Sequence, residues 1–363
     1  MVVVDKSLAI EDDIKRAETL PAEVYAGLEY YERARERVFA RSWQLIGDTD
    51  GLKSPGSVVP ATMLEGCLDE PLVLTRDSTD NINCLSNVCT HRGNLLVEGD
   101  CHTQTLRCRY HGRCFTLDGR FQSTPGFESA ACFPSPADNL QPVPSARLWK
   151  FVFASIDPAF PFDELTADMQ GRLGWLPFEN FIHDPGRSRD YIVRANWALY
   201  CDNYLEGFHI PYVHPALASA LDVKAYETIV FPYASLQVGV ASNPGEAFTL
   251  PSSSPDYGKN IAAYYYWLFP NTMFNFYPWG LSINIVVPLA PDRCRVQYIT
   301  YVLDESKLGE GAGADVDRTE REDEDIVEKV QRGVRSRFYR RGRYSPGHEA
   351  GVHHFHKLLT RFL

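Results

Sequence analysis

Cys89-Thr-His91-Arg-Gly93 and Cys108-Arg-Tyr-His111-Gly112, with 16 residues between His91 and Cys108, each put one thiol and one imidazole on a short turn. Two hairpin tips of this kind bring four ligands to one inorganic core, and the glycine after each pair lets the backbone bend tightly around it. Thiolates favour soft metals and clusters. Two imidazoles in place of two cysteines on one iron of a two-iron, two-sulfur cluster raise its reduction potential. A structural zinc site uses the same ligand types. The order Cys-His then Cys-His argues against zinc, because common zinc fingers present a cysteine pair followed by a histidine pair.

The sequence around these turns has the texture of a small all-β domain. From about Gly51, runs such as Pro71-Leu-Val-Leu-Thr75 and Ile82-Asn-Cys-Leu85 alternate with turn residues, and Asp118-Gly119 is a hairpin signal between Cys114-Phe-Thr-Leu117 and Arg120-Phe121. Upstream, residues 7–45 read as helix. Downstream, the Pro134–Pro144 span and Pro158-Ala-Phe-Pro161 mark domain borders, since proline continues neither a ladder nor a helix. The expected division is an N-terminal helical segment, 1–45, packing on the C-terminal domain, a β domain carrying the two turns, 46–155, and the C-terminal domain itself, 156–363. The last has a helical segment near Trp197–Phe208, strands between about Tyr264 and Leu303, and an acidic-to-basic helix from about Glu320. Strand runs followed by helices without βαβ alternation indicate an α+β fold.

A second constellation lies in Asn203-Tyr-Leu-Glu-Gly-Phe-His209-Ile-Pro-Tyr-Val-His214-Pro215. Five residues apart, His209 and His214 leave a common helix face, but Pro211 between them distorts the turn and makes convergence on one metal feasible. Ferrous oxygenases need two imidazoles and one carboxylate on one side of the iron, with open positions opposite. The run Glu320-Arg-Glu-Asp-Glu-Asp325 offers the carboxylate, although most of it reads as a solvated helix start. At ~100° per residue, Ile326, Val327, Val330 and Val334 define an apolar stripe centred on Asp323, with Glu322, Glu324 and Asp325 about a quarter-turn or more away. A carboxylate aimed into the core needs a partner, and Asp323 is the expected third ligand.

A formal charge of −11, without a long Lys/Arg run, argues against a nucleic-acid binder. Nine cysteines without secreted-scaffold spacing read as free thiols or ligands; Cys84, Cys101 and Cys114 have no ligand pattern. The opening Met1–Lys6 turns charged too soon for a signal peptide, and no stretch approaches the 18 or so apolar residues of a membrane span, so a cytoplasmic location is expected.

The two constellations, in this order and about 100 residues apart, resemble the α subunits of Rieske non-haem iron oxygenases, the aromatic-ring-hydroxylating oxygenases, over nearly the whole chain. Glu322-Asp323 with Glu328 and Gln331 resembles the family's late acidic ligand region, and Glu349-Ala-Gly-Val-His-His-Phe-His356 is similar to members acting on choline and related compounds. The resemblance implies a [2Fe-2S] cluster at Cys89, His91, Cys108 and His111 and a mononuclear Fe(II) at His209, His214 and Asp323. It also implies a small β-fold followed by an antiparallel sheet gripped by helices, and a homotrimer, or a multiple of three, in which one subunit's cluster faces its neighbour's iron. Glu206, three residues before His209, stands where the family places an acidic bridge for electrons between subunits. Many ring dioxygenases have Asp there, so Glu206 tilts the reading toward the choline and carnitine branch. Electrons would come from NAD(P)H through a separate flavin and iron–sulfur reductase. The absence of a G-x-G-x-x-G fingerprint agrees with that.

The expected activity is O2-dependent mono- or dioxygenation of an aromatic or quaternary-ammonium small molecule. Tyr264-Tyr-Tyr-Trp-Leu-Phe269 and Phe274-Asn-Phe-Tyr-Pro-Trp279 supply aromatic surface for either substrate. With period two, Phe274 and Phe276 point one way and Asn275 and Tyr277 the other, so only one set can line a cavity. A Rieske electron carrier without oxygenase activity and a zinc-stabilised binding protein remain as other readings.

Overall fold

A computed structural model describes residues 8–363 and separates them into two units, Ala40–Ala159 and the residues up to Phe39 together with Phe160–Leu363. The reading of Met1–Lys6 lies outside the described residues. The borders fall near 40 and 159 rather than at 46 and 155, and the helix expected through residue 45 is shorter. A 3-10 turn, Ala22–Tyr25, precedes α1 (Leu28–Ala34), which runs on as a π turn over Arg35–Phe39. Beyond Phe39 the chain becomes β1 (Gln44–Asp48), antiparallel to Phe151–Ala154. Those ladder bonds hold Gln44 and Leu45 in the β unit whatever their local helical propensity.

In the β unit, β2 (Ser57–Met63), β3 (Glu70–Arg76), β4 (Ile82–Ser86) and β5 (Cys101–His102) form a sheet of order β4-β3-β2-β5. A second sheet joins β6 (Leu106–Arg107), β7 (Cys114–Phe115) and β8 (Phe121–Ser123). The hairpin expected at Asp118-Gly119 is the β7–β8 connection, where Gly119 takes φ +86°. A third sheet pairs β1 with β10 (Phe151–Ala154) and β10 with β9 (Ser145–Leu148). Val58, Val73, Leu85, Leu106, Phe115 and Leu140 make one buried cluster with Cys89 and Cys108, so both thiols are rooted in the core.

The other unit begins, after α1, with α2 (Phe162–Leu173), which follows Pro161, carries Asp163 and Glu164 in its first turn and buries Leu165, Met169 and Leu173. Then come β11 (Ile182–His183), β12 (Arg189–Val193), α3 (Trp197–Tyr204), α4 (Ile210–Val213) and α5 (Pro215–Ala220). Asn196 caps α3 by accepting a 2.9 Å bond from the Ala198 N–H. Six more strands follow, β13 (Glu227–Phe231), β14 (Ala234–Val240), β15 (Ile261–Leu268), β16 (Thr272–Tyr277), β17 (Gly280–Ala290) and β18 (Arg293–Val302). They form an antiparallel sheet of order β11-β18-β17-β16-β15-β14-β13, with β12 also on β18. α6 (Val316–Val334) and α7 (Ala350–Phe362) complete the helical grip.

This is the expected α+β fold, with four strands, β11 to β14, upstream of the region the sequence marked. β16 stops at Tyr277, just before Pro278, which has no N–H to give a ladder. Among the described residues, no helix is long and apolar enough to cross a membrane.

Candidate metal centres

The two turns of the β unit are built alike. The Cys89 N–H donates to the Asn94 carbonyl at 2.9 Å and the Gly93 N–H to the Cys89 carbonyl at 3.0 Å; Cys108 bonds to Arg113 at 2.8 Å and Gly112 to Cys108 at 3.0 Å in the same pattern. Gly93 and Gly112 take φ +71° and +74°, which bulkier residues resist. Across the turns the His91 and His111 rings lie 4.7 Å apart, and Asn94 Nδ2 donates to Cys108 Sγ at 3.7 Å. Cys89 and Cys108 are buried, whereas His91 is half-buried and His111 exposed.

These residues fit a two-iron cluster better than a single ion. Among the described residues, only His209, His214 and Asp323 gather ligand atoms within 4.8 Å of one another, so the two Cys-His pairs leave room for a larger core than one zinc. His91 Nδ1 is buried without a hydrogen-bond partner among the described residues, as a nitrogen reserved for a metal would be. Behind the turns, Arg113 is almost fully buried. It donates to Thr90 Oγ1 at 3.0 Å and Asp138 Oδ1 at 3.2 Å, with the rings of Phe121, Phe127 and Phe133 each about 5 Å away. Sequence reading passed over this ion pair, which ties both turns to the Ser135–Asp138 segment.

In the other unit, α3 stops at Leu205 and the chain resumes helical geometry at Ile210, with Pro211 in the first turn of α4. The two imidazoles therefore flank a fresh short helix and are not on a single helix kinked by proline. Glu206 bridges the break. Its carboxylate accepts from the Phe208 and His209 N–H groups and lies 2.7 Å from His209 Nδ1. Glu322, from α6, stands behind the other ring, its carboxylate 2.8 Å from His214 Nδ1. With both Nδ1 atoms engaged, each ring turns Nε2 to Asp323 Oδ1, at 3.4 Å for His209 and 2.9 Å for His214. Carboxylates behind the outer nitrogens of ligating histidines set tautomer and ring direction.

Burial opposes a proton on His209, but hydrogen bonds to Asp323 and Glu206 and their charges outweigh it and push the pKa up to about 9. Burial also works against the Asp323 carboxylate, yet the two imidazoles hold it below the usual range. Such a pocket wants a cation, and two nitrogens with one oxygen suit ferrous iron.

Asp323 faces the site as expected, on a different stripe. Val330 is 43% exposed, and α6 buries Val327, Gln331 and Val334. Glu320 and Asp323 continue that row by steps of three and four. Glu320 and Glu322, read as solvated, are half-buried and hydrogen-bonded. Their place in that row was the available signal for Glu320. For Glu322, only the fold reveals the contact with His214.

Beside the triad lies a cavity lined by Tyr204, Tyr226, Tyr265 and Tyr277, with Gln237 and Asn275. Period two holds: Asn275 and Tyr277 face this cavity, while Phe276 packs on the far side against Phe178 and Tyr266. Tyr204 and Tyr226 were not anticipated. The 3-10 turn Gly311–Gly313 brings Ala312 against the tyrosines.

Two family models match the chain, "Rieske [2Fe-2S] domain" over residues 42–134 and "Ring hydroxylating alpha subunit (catalytic domain)" over residues 178–363. The chain belongs to the Rieske ring-hydroxylating oxygenases. This oxygenase is similar to the chloroplastic choline monooxygenase of Arabidopsis thaliana, with 32% identity over 95% of this chain and 83% of that one. It is 30% identical to the carnitine monooxygenase oxygenase subunit of Escherichia coli K12, over 96% and 94% of the two chains. In fold it resembles a quaternary ammonium Rieske monooxygenase, with TM-score 0.77, 23% identity and coverage of 98% and 100%. It also resembles a naphthalene 1,2-dioxygenase from Rhodococcus sp., with TM-score 0.70, 18% identity and coverage of 95% and 93%. As a Rieske oxygenase the protein is an enzyme with a Rieske cluster and a mononuclear iron, and it works with a separate reductase on a small-molecule substrate. The cluster supplies electrons and the iron activates oxygen. That assignment sets aside the electron carrier and the zinc protein.

Proposed function

We propose that this oxygenase hydroxylates a small molecule bearing a quaternary ammonium group. The observation that carries the reading is the wall of the cavity beside His209, His214 and Asp323: four tyrosines line it, with neither Lys nor Arg among its described lining residues. The Tyr226 and Tyr265 rings are 6.4 Å apart with their planes inclined by 29°, and Tyr277 meets Tyr265 edge-on at 5.9 Å. Electron-rich ring faces without a competing cation attract an alkylated ammonium group, which forms no hydrogen bonds and loses little on leaving water. A hydrocarbon substrate is less suited, because it would cover the carboxylates and amides of this cavity without pairing them. The likeness to choline and carnitine monooxygenases supports the same choice.

In this reading Cys89, His91, Cys108 and His111 hold the cluster, with the two imidazoles toward the surface where electrons pass, and His209, His214 and Asp323 hold the iron. A flavin and iron–sulfur reductase delivers electrons from NAD(P)H in the cytoplasm. In a ring of three subunits, Glu206 joins His209 to the neighbour's cluster. Its 2.7 Å contact with His209 Nδ1 supports the iron end of that bridge.

The test is oxygen uptake with a surrogate reductase and a panel of trimethylammonium compounds and aromatic acids. Uptake matched by product is expected with the ammonium compounds alone, and matched uptake with the aromatic acids alone would reject the proposal. Glu206→Gln is expected to keep both metal centres and to slow reoxidation of the reduced cluster by about 10- to 100-fold, the usual cost of losing a carboxylate behind a ligand. Stopped-flow absorbance of the cluster measures it, and an unchanged rate would remove Glu206 from the path.

A further inference from the structure

Glu320 lies one helical turn before Asp323 in α6 and lines the tyrosine-walled cavity. Its hydrogen-bond donors are neutral. Asn284 Nδ2 donates to Oε1 at 3.1 Å, and the Tyr200 hydroxyl, itself 2.7 Å from the Tyr298 hydroxyl, donates to Oε2 at 2.7 Å. Asn284 is held in turn by Asn275 Nδ2 at 3.1 Å, and Asn275 by the Tyr204 hydroxyl at 2.7 Å. The carboxylate is thus fixed in direction by a chain that reaches two of the cavity's own walls. Of the three acids lining the cavity, Glu206 and Asp323 are engaged by imidazoles, and Glu320 alone has only neutral donors.

We infer that Glu320 is the counter-charge that selects a cationic substrate, its carboxylate facing the ammonium group inside the ring of tyrosines. This deepens the quaternary-ammonium reading and rests on it. A half-buried carboxylate with no cation is costly, and a bound cation relieves that cost more than a neutral molecule of the same shape does. In keeping with this, burial pushes the Glu320 carboxyl above the usual carboxylate range.

A second wall residue agrees. Gln237 is 2% exposed and donates from Nε2 to the Tyr204 carbonyl at 2.6 Å, which fixes its amide and leaves Oε1, buried, without a partner among the described residues. The cavity therefore offers a carboxylate, an unpaired amide oxygen and ring faces, a set complementary to positive charge.

The alternative is a purely structural acid that pins α6 to α3 and β17. Equilibrium binding to the metal-loaded holoenzyme separates the two. Choline is compared with 3,3-dimethylbutan-1-ol, in which carbon replaces the charged nitrogen. The native protein is expected to prefer a cation over its neutral twin by about tenfold or more. Glu320→Gln keeps the shape and the Asn284 contact; it should weaken the cation about tenfold and leave the neutral twin unchanged, and Glu320→Asp should restore part of the preference. Equal weakening of both twins in Glu320→Gln, or an unchanged ratio, overturns the inference while the quaternary-ammonium reading stands. A native protein without any preference overturns both.

Discussion

Replacing Asp323 by alanine is expected to empty the mononuclear iron site and reduce product formation to background while the protein keeps the colour of its cluster. Asp323 Oδ1 is the one atom that faces both Nε2 atoms, at 2.9 and 3.4 Å. Without it the pocket offers two imidazoles and no anionic donor, too weak a set to hold ferrous iron against water. Misfolding is not the expected cause of the loss. Position 323 lies inside the 19-residue helix α6, where alanine is favoured over aspartate by about half a kcal/mol, and the buried row Val327, Gln331 and Val334 is untouched. Elemental analysis should show one iron fewer per chain with acid-labile sulfide unchanged. Retained product formation in this variant would reject Asp323 as a ligand, and loss of sulfide along with the iron would mean that the substitution had damaged the whole molecule.

Cys108→Ser is expected to do the opposite, bleaching the cluster and sparing the mononuclear site. A serine oxygen is a hard, weakly acidic donor in a position that calls for a soft thiolate. Cys108 is buried in the same apolar cluster as Val73 and Phe115, so water cannot readily take its place. The turn itself should survive, because its frame is the backbone pair Cys108 to Arg113 and Gly112 to Cys108, which serine leaves intact. The visible spectrum and the rhombic signal of the reduced cluster should vanish and turnover should stop. Cys101→Ser, at an exposed thiol outside both turns, is the control expected to keep both. A coloured Cys108→Ser protein would mean that the cluster ligands lie elsewhere.

What could be read directly from the chain was chemistry carried by short spacings. Cys89 and His91, Cys108 and His111, and His209 and His214 each sit within a few residues of one another, and a turn or one helical step suffices to place them. Even there the reason differed in detail. Pro211 opens a new helix where a kink was expected, and Val330, counted in the buried stripe, is exposed, although Asp323 faces the site all the same. Alternation along β16 likewise assigned Asn275 and Tyr277 to one face and Phe274 and Phe276 to the other, but could not say which face looked onto the iron.

From its sequence alone the protein was bound to carry two metal-binding constellations of different donor chemistry in an α+β chain, because ligand type and local period do not depend on distant neighbours. Only the tertiary structure decided how the acids of the 320–325 run divide their work, with Glu322 behind His214, Asp323 before both imidazoles and Glu320 among the tyrosines. It also decided that Gln44 belongs to a strand and that Tyr204, Tyr226, Tyr265 and Tyr277 share one cavity. These placements join residues tens to more than a hundred positions apart, and they follow from which strands pair and which helix face packs, energies that no local stretch of sequence contains.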